Sequence, residues 1–254
     1  MASYRLHALA LKKTKLGETD LIVTLLAADG CQVRAVAKGA RKPGSRFGAR
    51  VEPFVVADLL LSRGRSLDVI TDAEIVSGHG AIRTDYDRAQ AASVVADVLD
   101  KISVECQIDD RLFGLAEATL DAMESAGGDT LLVLVTAFLV KAMAMHGYRP
   151  QFDACASCGA PVGGAVSTYS LEVGGPLCEG CEAPARECAH ASAAVRSTLA
   201  SLMRATMAEA ATLQVDRRVL VDAFALMRAF VRYHVHARLK ALDLYATDVC
   251  RPGA

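Results

Sequence analysis

Residues 21–37 read Leu-Ile-Val-Thr-Leu-Leu-Ala-Ala-Asp-Gly-Cys-Gln-Val-Arg-Ala-Val-Ala. Two apolar runs, Leu21–Ala27 and Cys31–Ala37, flank Asp29-Gly30, a dipeptide that readily supplies the positive φ angles of a tight hairpin. Upstream, apolar and polar residues roughly alternate from Tyr4 to Lys12, and Lys13 to Thr19 contains a turn. Downstream, the runs Val51–Leu61 and Leu67–Val76 are joined by Ser62-Arg63-Gly64-Arg65. About five strands within some eighty residues predict a small closed barrel of the OB type.

After Gly80 the periodicity changes from two to that of a helix. Segments 85–104, 109–125 and 130–146 are rich in alanine and leucine, and Gly147 and Pro150 end the third. Two further helices are expected over Ala191–Met207 and Val215–Leu242. The fold class is therefore α+β: an N-terminal five-stranded OB-type β-barrel over 1–80, then an α-helical domain over 81–254. That domain carries a four-cysteine zinc knuckle at about 152–185, an insertion set by the cysteine spacing.

The knuckle rests on Cys155-Ala-Ser-Cys158 and Cys178-Glu-Gly-Cys181, separated by nineteen residues. Two Cys-x-x-Cys pairs so placed can bring four thiolates to the corners of one tetrahedron, the arrangement of a structural Zn²⁺. The intervening stretch, with Gly163, Gly164, Gly174 and Gly175, is too polar and glycine-rich to build a core of its own, and a metal would supply the folding energy. Two disulfides or four free thiols are the alternatives, and Cys188 and His190 stand near enough to replace one ligand. Four protein ligands leave no open coordination position, so the site is scaffold rather than catalyst.

The chain has 254 residues, 52% of them hydrophobic, enough for sizeable buried cores. Of its eight cysteines, Cys31, Cys106, Cys188 and Cys250 are scattered, a usage that fits a reducing compartment and predicts a cytoplasmic protein. Arg5 and His7 interrupt the N-terminal apolar stretch, unlike a signal peptide. The longest apolar run, Leu131–Val140, ends at Lys141, too short to cross a bilayer, and no membrane role is expected.

The formal net charge of −1 conceals an asymmetry. Residues 1–65 hold twelve Lys/Arg against five Asp/Glu, a net +7, which leaves −8 for the rest. A basic module on an acidic body is the footprint of polyanion binding. The basic residues concentrate in Lys38-Gly-Ala-Arg41-Lys42-Pro-Gly-Ser-Arg46-Phe47. OB-type barrels bind single strands with cations along the phosphates and aromatics under the bases, so Lys38, Arg41, Lys42, Arg46 and Phe47 are the candidate nucleic-acid-binding residues. Phe54 is a second candidate ring, although its place in an apolar strand favours the barrel core.

On the last helix Leu220, Ala223, Phe224, Met227, Phe230, Val231 and His234 form one stripe expected to be buried, His234 as a satisfied core histidine. Arg228 and Arg232 share another face and are candidates for an acidic peptide or for DNA, although general surface statistics favour an ordinary solvated face. Catalytic motifs are missing. The glycines at 39 and 44 have P-loop spacing without its Lys-Ser/Thr pair, there is no Gly-x-Ser-x-Gly or His-Glu-x-x-His, and no histidine opens a His-x-Glu motif. A non-enzymatic protein is expected.

The stretch Leu16-Gly17-Glu18-Thr19-Asp20-Leu21-Ile22-Val23-Thr24-Leu25-Leu26, with Ala35-Val36-Ala37-Lys38-Gly39-Ala40-Arg41-Lys42, Ser45-Arg46-Phe47 and Pro53-Phe54, resembles the N-terminal domain of the bacterial recombination mediator family RecO. The helical region and the four cysteines also stand where that family has them. The resemblance implies a DNA-repair mediator that binds single- and double-stranded DNA and anneals complementary strands. It further implies a protein that helps load RecA onto strands coated by the single-stranded DNA-binding protein SSB. It implies RecR, often RecF, and the acidic SSB C-terminal tail as partners, a nucleoid-associated location, DNA contact through the 38–47 loop and one Zn²⁺ on the four cysteines. Arg228 and Arg232 are candidates for the SSB-tail contact by charge and helical spacing alone. Two readings outside the family stay open on the residues alone: a zinc-stabilised regulatory or interaction protein that binds RNA or an acidic partner, and a thiol redox enzyme.

Overall fold

The structure is a computed structural model that describes residues 2–104, 108–183 and 186–249; Cys106 and Cys250 lie outside them. Five strands, β1 (Ser3–Leu16), β2 (Asp20–Ala27), β3 (Gln32–Ala37), β4 (Val56–Ser62) and β5 (Asp68–Ser77), close into a barrel in the order β1-β2-β3-β5-β4. The Asp29-Gly30 turn sits where the sequence places it. Gly30 has φ 86°, and a Cβ there would lie 2.1 Å from the Asp109 carbonyl oxygen, so glycine is required both by the turn and by the approach of the helical domain. The β1 strand runs four residues beyond Lys12, so Lys13–Leu16 form an exposed arm paired with β2 and the turn narrows to residues 17–19.

Closure between β3 and β5 is brief. They pair in parallel over Ala35–Ala37 and Asp68–Ile70. Past Ile70 that edge of β5 meets the loop after β3, where Arg46 Nη2 donates to the Thr71 carbonyl and Arg50 Nη1 to the Ala73 carbonyl, each at 2.8 Å.

One expected strand begins late. Residues 49–51 form a single 3₁₀ turn and β4 starts at Val56, which leaves Phe54 in the preceding loop at φ 72°. The Phe54 amide donates to the Ala10 carbonyl at 2.8 Å, and its carbonyl lies 2.6 Å from Nδ1 of the buried His79, whose Nε2 is 3.1 Å from Asp121 Oδ1. Bonds to both sides hold the residue in a left-handed conformation that costs a non-glycine residue about 1–2 kcal/mol. Phe54→Gly is therefore expected to be less destabilising than Phe54→Ala by about 1 kcal/mol in urea unfolding. Equal losses would show that the backbone is unstrained.

The helical domain comprises α1 (Gly80–Thr84), α2 (Tyr86–Ile102), α3 (Asp110–Ser125) and α4 (Asp129–Met145), then α6 (Ala193–Arg204), α7 (Met207–Ala210), α8 (Arg217–His234) and α9 (Lys240–Val249). Between α4 and α6 lie β6 (Val166–Ser170), β7 (Gly175–Pro176), the short α5 (Glu179–Glu182) and β8 (Cys188–Ser192). The α4 helix is apolar on nearly every face and buried accordingly at the centre of the bundle. Leu9, Leu11, Leu26 and Val56 of the barrel join the helical core, so one face of the barrel and the bundle share a single apolar interior.

One expectation is corrected here. The segment 215–242 is not one helix: α8 stops at His234 and α9 turns back, with Val235 and Leu239 buried at the corner and the Ala241 amide donating to Asp97 Oδ2 at 2.9 Å. The stretch between the cysteine pairs builds no core of its own but docks on that of the bundle. Its β6 strand inserts a fully buried Tyr169 between Phe152 and Phe230, with ring centroids 6.3 and 6.5 Å away, and the Tyr169 hydroxyl donates to the Gly174 carbonyl. One large aromatic suffices to dock a polar segment.

Candidate nucleic-acid interface and metal centre

The basic loop is tied down at both ends. Ala40 and Phe47 are buried in the barrel core, and a chain of tight turns runs between them: Lys42 N donates to the Gly39 carbonyl and Ser45 N to the Lys42 carbonyl, both at 3.0 Å. Gly39, at φ 67°, donates its amide to Asp20 Oδ1 at 2.8 Å, and Thr19 Oγ1 donates to the same oxygen. The Gly39 amide, then the Thr19 hydroxyl and more weakly Lys38 and Lys42, hold the Asp20 carboxyl below its ordinary pKa. Asp20 is thus a positioning residue that charge counting missed, although it stands in the Gly17-Glu-Thr-Asp20 stretch that carries the family resemblance.

Lys38, Arg41, Lys42 and Arg46 are all exposed, and none is ion-paired to a carboxylate among the described residues. Their roles divide. Arg41 Nη1 donates to the Glu18 carbonyl at 2.8 Å and the Gly17 carbonyl at 3.3 Å, which orients it over the β1–β2 turn. Arg46 seals β5 as described and lies over the Phe47 ring at 4.8 Å. Carbonyl acceptors direct these guanidinium groups without cancelling their charge. The Lys38 and Lys42 side chains make no such bonds among the described residues.

Phe47 does not present its ring. It is 5% exposed and packs with Val51, Val55 and Ile70 in the barrel core, because the turns at 42–48 fold its side chain inward. The sequence expectation of Phe47 as a stacking residue is corrected on this point. Phe54, half-buried, lines the cleft between barrel and helices instead.

The four knuckle cysteines converge. Their Sγ atoms all lie within 4.8 Å of one another, with Cys158 and Cys178 at 3.6 Å. A disulfide requires about 2.05 Å, whereas a tetrahedral ion with metal–sulfur bonds of about 2.3 Å places its sulfurs about 3.8 Å apart. The observed spacing fits the ion. Each pair is shaped by a local turn, Gly159 N to the Cys155 carbonyl at 2.8 Å and Cys181 N to the Cys178 carbonyl at 2.9 Å. Backbone N–H groups, that of Cys178 foremost, draw the Cys155 thiol down to about 6, while the sulfurs of Cys178 and Cys158 push Cys181 up to about 12. The amides favour a thiolate at Cys155 and the crowding opposes one at Cys181. A divalent cation removes that conflict by deprotonating its ligands outright. Cys188 lies outside the cluster and points its thiol at the Arg186 carbonyl, and His190 is likewise not part of it.

Arg228 and Arg232 do share a face, but it is not open. The corner between α8 and α9 carries Asp243 between them, 2.8 Å from Arg228 Nη2 and 3.2 Å from Arg232 Nη1. With Asp243 the two arginines form a trio with one residual positive charge. His234 is half-buried and bonds the Leu171 carbonyl through Nε2 at 2.9 Å, a satisfied histidine as its stripe position implies. No helix among the described residues is long and apolar enough to cross a membrane.

An OB-type barrel with an exposed cationic loop, sharing its core with a helical bundle that brings four thiols within reach of one metal ion, defines a two-part α+β protein. The chain belongs to the Recombination protein O family: the model of that family's N-terminal part matches residues 1–79, and the model of its C-terminal part matches residues 83–243. It is 39% identical over 244 residues to the DNA repair protein RecO of Frankia casuarinae, covering 95% of this chain and 98% of that one. It is 36% identical over 247 residues to the DNA repair protein RecO of a Nocardioides species, covering 94% and 97%. The protein of the same name from Desulforamulus reducens is 30% identical over 255 residues, covering 99% and 98%.

Proposed function

We propose that this protein is a recombination mediator that binds single-stranded DNA through the 38–46 loop and anneals complementary strands. The observation that carries the reading is the exposed set Lys38, Arg41, Lys42 and Arg46, which has no carboxylate partner among the described residues and stands on an OB-type barrel. Cations held at fixed points screen the repulsion between two phosphate backbones and keep each strand extended while pairing nucleates. The duplex supplies the driving force, and no covalent step is needed. In the cytoplasm, at the nucleoid, the protein acts with RecR, and with RecF where present, to place RecA on SSB-coated strands. The acidic SSB tail docks on the helical domain, where Arg228 and Arg232 retain one positive charge after Asp243 is counted. The knuckle holds one structural Zn²⁺ through Cys155, Cys158, Cys178 and Cys181, as thiolate ligands at this spacing favour.

The test is annealing of two complementary fluorescent oligonucleotides without nucleotide triphosphate across a salt titration. Acceleration that fades as salt rises is expected. No acceleration at any salt would leave a metal-stabilised partner-binding protein as the better account.

A further inference from the structure

A second feature lies between the barrel and the bundle. A cleft of about 590 Å³ opens there, within the size range of ligand sites. Its floor is apolar, with Leu11, Phe54 and Ala96, and its rim carries Lys12, Lys13, Arg83 and Lys240. The carboxylates at the rim are already engaged. Glu52 pairs with Lys13, Asp100 with both Lys12 and Lys101, and Asp97 accepts the Ala241 amide. Arg83 and Lys240 are exposed and have no carboxylate partner among the described residues.

The cleft is continuous with the basic loop. The β1 arm leaves it at Lys12 and Lys13, passes Lys15, and ends at the turn whose Gly17 and Glu18 carbonyls are held by Arg41. Lys13 and Lys15, two apart on a strand, face the same way. From Lys13 to Gly17 the arm spans about 13 Å at the usual strand rise. Lys15, with no carboxylate partner among the described residues, stands on an extended element between the loop and the cleft, where Asp100 and Glu52 engage Lys12 and Lys13, a path that suits a chain of repeating negative charge. At the cleft end stands Phe54, held by Ala10 and His79 in a backbone conformation that costs energy. Such strain gathers where a side chain must be presented to a ligand.

We infer that the cleft receives an unstacked base of the bound single strand, with Phe54 as the apolar surface beneath it and Arg83 and Lys240 on the flanking phosphates. The inference rests on the single-strand-binding reading above. The strand's path then runs from the 38–46 loop along the β1 arm and onto the helical domain.

The experiment uses the full chain and single-stranded oligothymidylate. An Arg83→Ala/Lys240→Ala variant alters exposed side chains that hold no ion pair, so its fold is expected to be intact, to be checked by circular dichroism. Its log-affinity against log-salt slope should be shallower than wild type by about 1.4, so that a fourfold rise in salt costs about sevenfold less affinity. A 4-thiothymidine placed in the oligonucleotide should photo-cross-link to the peptide that contains Phe54, and unlabelled single strand should compete the cross-link away. An unchanged slope in this variant, with a shallower slope in Lys38→Ala/Lys42→Ala, overturns the cleft while leaving the loop reading in place. Failure of the wild type to bind single strands overturns both. Protection of the cleft by an acidic peptide, with no cross-link to DNA, assigns it to a protein partner and also overturns the inference.

Discussion

A Cys155→Ser/Cys178→Ser variant is expected to lose the zinc binding proposed for the knuckle and about 3–5 kcal/mol of stability, the cost of undocking a large buried aromatic. One ligand is removed from each Cys-x-x-Cys turn, so neither pair can hold the ion alone. The β6 strand lies between the two turns and carries Tyr169, whose ring is wedged between Phe152 and Phe230 in the main core. Loss of the ion frees both ends of the segment that positions that ring. Colorimetric release of metal to a chelator and guanidinium unfolding would measure the two effects. Hydrogen exchange should show the loss spreading to Phe230 on α8 while the barrel amides stay protected. Full stability in a metal-free variant would mean that Tyr169 and its neighbours hold the knuckle without help.

The second large effect concerns DNA. About five phosphate contacts by the wild type give a log–log salt slope of about −3.5, so a fourfold rise in salt weakens single-strand binding about a hundredfold. Lys38→Ala/Lys42→Ala should bring the slope to about −2.1 and reduce that loss to about twentyfold. These two are the informative substitutions, since the Lys38 and Lys42 side chains make no hydrogen bonds among the described residues. Alanine at Arg41 or Arg46 would disturb the β1–β2 turn or the β5 edge as well as the charge. Fluorescence anisotropy on an oligothymidylate across salt reads the slope directly. A slope unchanged from wild type would move the DNA path off this loop.

Much of the architecture was legible because burial writes itself into periodicity. The β2–β3 hairpin followed from Asp29-Gly30 between apolar runs, and the metal cradle from two Cys-x-x-Cys pairs. What escaped depended on contacts distant in sequence. Phe47, between Arg46 and Gly48, has the local setting of a surface ring, yet successive turns roll it into the core. Phe54 sits in an apolar run that resembles a strand, but its amide's bond to the Ala10 carbonyl and its carbonyl's bond with His79 hold it out of one. The α8–α9 corner bears no proline or glycine between His234 and Lys240. It is made by burying Val235 and Leu239 and by the Asp97 carboxylate receiving α9, neither of which any local pattern announces. Arg228 and Arg232 share a face by helical spacing, but their pairing with Asp243 depends on α9 packing back on α8, which that spacing does not show.

The short parallel seam between β3 and β5 has a consequence for solubility. A strand edge with unpaired carbonyls invites a strand from another molecule, the first step of sheet-to-sheet aggregation. Here Arg46 and Arg50 occupy the Thr71 and Ala73 carbonyls in place of a sixth strand, and they bring charge that repels a second copy. A lysine at either position would keep the charge but lose the planar fork of donors that fits a carbonyl while its stem lies along the barrel. The exchange of arginine for lysine, conservative on a free surface, would here unguard an edge, and the barrel's resistance to self-association depends on the shape of its cations as well as on their number.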